Sequence, residues 1–328
     1  MPDTTSHHHR AARSRRARLV HAALRRLLKV KPPGDARTLA RWARHALGLP
    51  ARLSWVVPPG VRITQSAAPV RGEWVVPHGG DAPGAPVVYY LHGGGYVACS
   101  PVTHRPITTT LARQLHARVF ALDYRLAPEH PFPAALEDAL AGYRWLLAQG
   151  TDPRRLVLAG DSAGGGLALA TLVALRDAGD PLPAAAYLLS PWTDLAGTGE
   201  SVRRNAEACD TFLPADVPRF ASAYLGATPP DDPRASPLYA DLRGLPPLLT
   251  QVGTSEILYS DATRLHERVL AAGGTSELHT YEGVPHVWQV LAWVLPEARS
   301  ALEEAARWVR GQVGVGVSGS GVLGARRG

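Results

Sequence analysis

The chain has 328 residues, 45% of them hydrophobic, and no uninterrupted run of 18 apolar residues, so it can bury a large core and is expected to carry no transmembrane helix. Its formal charge of +7 is uneven: residues 1–31 hold nine Lys or Arg against one acid, Asp3, and the remainder is close to neutral, which argues against a nucleic-acid-binding face on the body. Two cysteines, Cys99 and Cys209, supply no disulfide framework and demand no oxidising compartment, so a cytoplasmic location is expected.

Taken in chain order, the basic leader comes first. His7, His8 and His9 have no Cys or acidic ligand beside them, so no metal site is expected there. LVHAALRRLLKV places apolar residues at helical spacing with arginines between, a basic amphipathic helix expected to pack over the active site as part of a cap; the same arginines interrupt any secretory apolar core. Strand-like runs follow at 61–67 and 71–76, joined by too few residues around Pro69 for a crossover, which predicts an antiparallel hairpin at a sheet edge. Further runs at 86–91, 117–123, 155–160, 184–190, 247–252 and 276–281 alternate with helical patterns. The expected fold class is therefore α/β, with a mostly parallel eight-stranded sheet flanked by helices. Between 196 and 244 the alternation stops in a polar, Pro-rich stretch containing ADVPRFASAYLG, a length that suggests a lid. The expected division is an N-terminal basic and cap segment at 1–50, a core at 51–195 and 245–313, a cap insertion at 196–244, and a disordered Gly-rich tail at 314–328.

Chemistry concentrates at strand ends. GDSAGGG, residues 160–166, follows the apolar LVLA and precedes LALATLVAL, so Ser162 falls where a buried strand bends sharply into a helix. There the Ala163 amide and the helix dipole face charge forming on a substrate carbonyl. Upstream, PVVYYLHGGGY ends a strand in His92-Gly93-Gly94-Gly95, a glycine run of the type that supplies oxyanion amides. A dinucleotide cradle would instead need an acid about 20 positions on, and Asp123, the nearest acid, is nearly 30 from Gly94. The base must lie downstream of the serine, and His286 in EGVPHVW, following the strand-like ELHTYEG, stands out there. Its acid partner is expected just past the strand PLLTQVG: Glu256 outranks Asp261, which falls at a helix start where it suits the dipole. His104, His116, His130, His266 and His279 read as surface or helix-end histidines. DYRLAPEHPFPAALEDA reads as an ion-paired corner leading a helix that begins near Pro133, and Asp194 as structural too.

The ordered set HGGG, DYRLAPEHPFPAALEDA, GDSAGGG, SPWTDL and GVPHVW, spanning about residues 60 to 312, resembles the hormone-sensitive-lipase-like (bacterial family IV) esterases. The resemblance implies an α/β-hydrolase fold, a serine carboxylesterase with Ser162, His286 and an acid as its triad, and short- to medium-chain ester substrates. By matching position it places the oxyanion hole on the amides of Gly94, Gly95 and Ala163. The family's usual acid is an Asp in D-P-L, whereas this chain has Glu256-Ile257-Leu258. No cofactor or metal is implied, and the expected partner is a small-molecule ester. Lactone, carbamate or amide hydrolysis on the same residues is the alternative; a silent ligand receptor on this fold is more remote, because His286 is present. The last strand, ELHTYEG, is expected at the sheet edge, where two copies would pair into a homodimer, as relatives resembling this chain often do.

Overall fold

The structure is a computed structural model that describes residues 57–314 except 81 and 83, together with 7–9, 14, 20, 23, 24, 28, 29 and 34–48. Nine strands join into one sheet: β1 (His7–His9), β2 (Val61–Ser66), β3 (Gly72–Pro77), β4 (Val87–Leu91), β5 (Arg118–Leu122), β6 (Leu156–Asp161), β7 (Ala185–Leu189), β8 (Leu248–Gly253) and β9 (Ser276–Tyr281). Their spatial order is β1-β9-β8-β7-β6-β4-β5-β3-β2. All pairs are parallel except β2 with β3 and β3 with β5, so the hairpin predicted around Pro69 sits at one edge, with Ile63 opposite Val75.

The central strands β4, β6, β7 and β8 are buried at every position, as continuous apolar runs require when helices cover both faces of a sheet. On one face, α2 (Arg105–Leu115) and α8 (Pro296–Gln312) bury Ile107, Leu111, Ala301 and Leu302. On the other lie α3 (Ala134–Ala148), α4 (Ala163–Ala178) and α7 (Tyr259–Ala271), which contribute Tyr143, Leu146, Leu167, Leu172 and Leu265 to the larger core.

Two departures concern the sheet edge and the histidines. The eight expected strands are β2 to β9, but β1 adds a ninth, pairing parallel with β9 so that His7 lies opposite His279. The last strand is therefore not the outer edge: β1 covers it at His279–Tyr281, where the sequence predicts an edge open to pairing. His279, expected at the surface or a helix end, is buried in β9, and His104 stands at a helix end as expected but is buried as well. Each has a carboxylate within reach, Asp161 and Glu277, and such pairing makes a buried imidazole tolerable.

Over the sheet's carboxyl ends, the 196–244 stretch forms α5 (Ser201–Arg204), α6 (Asp216–Leu225) and a 3₁₀ turn at Pro237–Tyr239. The helix α1 (Ala36–Leu47) is capped by Asp35, whose side chain accepts from the Thr38 amide at 2.8 Å, and it packs against α6. Arg44 fastens α1 to the loops after β4 and β5, donating to the Val97 carbonyl at 2.9 Å and the Ala127 carbonyl at 3.1 Å. Of the amphipathic leader, Val20, Ala23, Leu24 and Leu28 are helical; its other positions, and the tail beyond 314 expected to be disordered, lie outside the described residues. Among the described residues no helix is long and apolar enough to cross a membrane.

Candidate active site

Strand β6 ends at Asp161 and helix α4 begins at Ala163, which leaves Ser162 alone to make the bend, at φ 51° and ψ −121°. A side chain held in that sparsely populated region is strained, and its amide is anchored to the Leu189 carbonyl at 2.8 Å. The turn is tight enough that a Cβ at Gly164 would stand 2.1 Å from the Leu91 carbonyl oxygen, so the glycine after the serine is a packing necessity.

The histidine arrives from the loop after β9. His286 Nε2 lies 2.9 Å from Ser162 Oγ, and His286 Nδ1 lies 2.5 Å from Glu256 Oε2. An ionised carboxylate only accepts, so Nδ1 carries the proton and Nε2 is left to accept from the serine hydroxyl. Glu256 stands three residues past β8 and is 1% exposed. Its second oxygen accepts from the Gly253 amide at 2.6 Å and the Ser190 hydroxyl at 2.7 Å, bonds that fix the carboxylate plane. The Phe212 ring meets the imidazole edge-on, with centroids 5.1 Å apart.

Asp261, the rival acid, is held elsewhere. It lies in the first turn of α7, and one oxygen accepts from the Thr193 and Asp194 amides at 2.8 and 2.9 Å. Burial, with the neighbouring Asp194 charge second, pushes its carboxyl up to about 7. Asp194 itself is fully buried and gathers Arg264, Tyr239 and Thr198 around it. The Pro-rich corner is ion-paired as its sequence suggests: Arg125 binds Glu137 and Asp138, and the Tyr124 hydroxyl donates to the His92 carbonyl at 2.6 Å.

The glycine run after β4 forms a loop with positive φ at Gly94 and Gly95, folded by the Ala98 amide donating to the Gly94 carbonyl at 3.0 Å. The amides of Gly94, Gly95 and Ala163 have no acceptor among the described residues, and Ala163 opens the 16-residue helix α4, whose dipole favours negative charge there. Two cavities flank the serine. The smaller is walled by Trp192, Phe212, Val217, Phe220, Ile257 and Leu258. The larger, about 270 Å³, runs past His286 between Leu24, Leu28, Leu47, Val290 and Leu291.

A second buried histidine and carboxylate, His104 and Asp161, border the larger cavity and did not emerge from sequence reasoning. The signal available was Asp161 itself, a charged residue inside an otherwise apolar strand immediately before the serine. Among the described residues, no group of three or more His, Cys, Asp or Glu side chains is placed to hold a metal ion.

Comparison with known proteins gives a consistent result. A family described as alpha/beta hydrolase fold matches residues 88–290. An acetyl-hydrolase of Streptomyces hygroscopicus is 48% identical over 264 residues, covering 80% of this chain and 86% of that protein. An esterase of Acinetobacter venetianus is 37% identical over 243 residues, covering 74% and 79%. The crystal structure of an esterase from the bacterial hormone-sensitive lipase family aligns with a TM-score of 0.83 at 44% identity, covering 92% of this chain and 100% of that one.

Proposed function

The chain belongs to the alpha/beta hydrolase fold family, among its hormone-sensitive-lipase-like esterases, and from that premise we propose a carboxylic ester hydrolase working through an acyl-enzyme on Ser162. The observation that carries the reading is the unbroken chain from Glu256 through His286 to Ser162, set beside three amides without acceptors among the described residues. Ser162 Oγ attacks the ester carbonyl as His286 Nε2 takes its proton, and Glu256 holds the ring and stabilises the imidazolium. The Gly94, Gly95 and Ala163 amides receive the oxyanion. His286 then protonates the departing alcohol and activates the water that releases the acid.

The proton route also sorts the cavities. The leaving oxygen must reach His286, which lines the larger cavity, so the alcohol half of the ester belongs there and the acyl half in the smaller one. A small cavity walled by aromatic and branched side chains favours short to medium acyl chains. The described residues of 1–50 beyond β1 act with 196–244 as the cap over Ser162, with 51–195 and 245–313 as the catalytic core; Phe212 and Phe220 reach the cavity from the cap insertion, Leu24, Leu28 and Leu47 from the N-terminal segment. Both cysteines are free, which suits a reducing cytoplasm.

The decisive experiment is Ser162→Ala, expected to lower ester turnover by several orders of magnitude while circular dichroism stays unchanged. An organophosphate should add its mass at Ser162. Turnover retained above about a tenth of wild type would refute the reading.

A further inference from the structure

Beside the nucleophile, and outside the Glu256, His286 and Ser162 chain, a second histidine meets a second carboxylate in the interior. Asp161 immediately precedes Ser162, and His104 closes the short 3₁₀ turn Pro101–His104 ahead of α2. Both are buried, with His104 Nε2 3.2 Å from Asp161 Oδ2. The other carboxylate oxygen accepts from the Gly93 amide at 2.9 Å and the Tyr90 hydroxyl at 2.7 Å. Gly93 lies so close to this carboxylate that a Cβ there would stand 2.2 Å from Asp161 Oδ2. The oxyanion loop is thus held at its root by the last residue of the nucleophile's own strand.

The hydrogen-bond partners fix the protonation of His104. Thr103 Oγ1 donates to the Ser100 carbonyl at 2.7 Å, so in its 2.8 Å contact with His104 Nδ1 the ring must be the donor. Nε2 faces a carboxylate oxygen, which can only accept, so the surroundings of both ring nitrogens suit an imidazolium. Burial works against that charge, but the field and hydrogen bond of Asp161 outweigh it and raise the His104 pKa, while His104 in turn holds Asp161 low against its own burial. The groups packed around the pair bring no charge near pH 7. His92 is pushed down to about 4, Cys99 up to about 12, and Tyr90 and Tyr124 well above the usual phenol range, all chiefly by burial.

We propose that His104 and Asp161 form a positioning pair for the oxyanion donors, locking Gly93, and through it the Gly94 and Gly95 amides, to the strand end that carries Ser162. The proposal rests on the esterase reading above and assigns the pair no contact with substrate. Its role is to keep donors and nucleophile in one fixed geometry as charge develops, so its loss is felt in the transition state and not in substrate binding.

The test compares His104→Leu with His104→Gln, whose side-chain amide can still donate to Asp161. His104→Leu is expected to lower kcat about ten- to a hundredfold with KM within about threefold, and to weaken a trifluoromethyl ketone inhibitor in parallel. His104→Gln is expected to recover most of that loss. A folded His104→Leu enzyme with unchanged kcat, or one whose defect lies in KM, overturns the proposal. Should His104→Leu not fold, ¹⁵N NMR of the unsubstituted enzyme decides: both His104 nitrogens protonated at pH 7 is the expected result, and a neutral tautomer overturns it. Turnover surviving Ser162→Ala is a different failure, that of the esterase reading, and leaves the NMR measurement standing.

Discussion

Ser190 and Glu256 are 66 residues apart in sequence, yet the Ser190 hydroxyl donates to Glu256 Oε1 at 2.7 Å, on the carboxylate oxygen that His286 does not use. The acid is therefore gripped on both sides, and its rotamer is set before any substrate enters. Ser190 itself stands one residue past the end of β7, at φ 44°, an uncommon backbone state for a residue other than glycine.

This arrangement separates the two acids by experiment. Glu256→Gln keeps the shape and removes the charge that stabilises the His286 imidazolium, so kcat should fall by roughly a hundredfold or more with little change in KM. Asp261→Asn should cost less than about tenfold, because that carboxylate binds the Thr193 and Asp194 amides and not the imidazole. Steady-state kinetics on both variants checks the ranking, and the reverse order would place the acid at Asp261.

Asp261 also makes stability depend on pH. A carboxyl raised to about 7 on folding keeps its proton in the native protein where the unfolded chain has lost it. Its contribution is fully present below about pH 4 and is lost as pH rises to about 7, after which it stays constant. Asp261→Asn removes that slope. The stability of Asp261→Asn relative to wild type should rise between pH 5 and 7, by at most about 1.4 kcal/mol per pH unit. Urea denaturation at pH 5, 6 and 7 reads this, and parallel pH curves for the two proteins would contradict it.

Acyl length should follow the smaller cavity. With p-nitrophenyl esters, turnover should be best for chains of roughly two to eight carbons and poor for palmitate. Phe220 walls this cavity, so Phe220→Leu should raise octanoate relative to acetate by about three- to tenfold. A palmitate optimum in the unsubstituted enzyme would be the contrary outcome.

Away from the site, Glu73 on β3 forms a buried ion pair with Arg105 at 2.5 Å, with Gln65 donating to the same carboxylate oxygen. Glu73→Ala leaves the guanidinium buried without this partner and should destabilise the fold by about 3–5 kcal/mol, measured by chemical denaturation. A loss below about 1 kcal/mol would show that water reaches Arg105 readily.

Much of this architecture is legible in the sequence because it follows from local rules. Buried parallel strands read as apolar runs, and the eight expected strands lie within about a residue or two of those found. Strand ends then locate Ser162, Glu256 and His286, which the fold gathers into one hydrogen-bonded chain. What escaped depends on contacts between distant segments. The pairing of His104 with Asp161 joins residues 57 positions apart through a carboxylate whose burial no periodicity reveals. β1 escaped because three histidines carry no alternation of apolar and polar residues; its partner β9, not its own pattern, makes it a strand.

Phe212 and Ser162 are the two residues common to the linings of both cavities. An ester lying across the serine therefore places its two halves on either side of one aromatic ring, and a bulky group on one side presses that ring toward the other. Selectivity for the acid and for the alcohol then does not factor into two independent scales. In a matrix of esters varied at both ends, the free-energy effects of the two substitutions are coupled, and the coupling is relieved in Phe212→Ala.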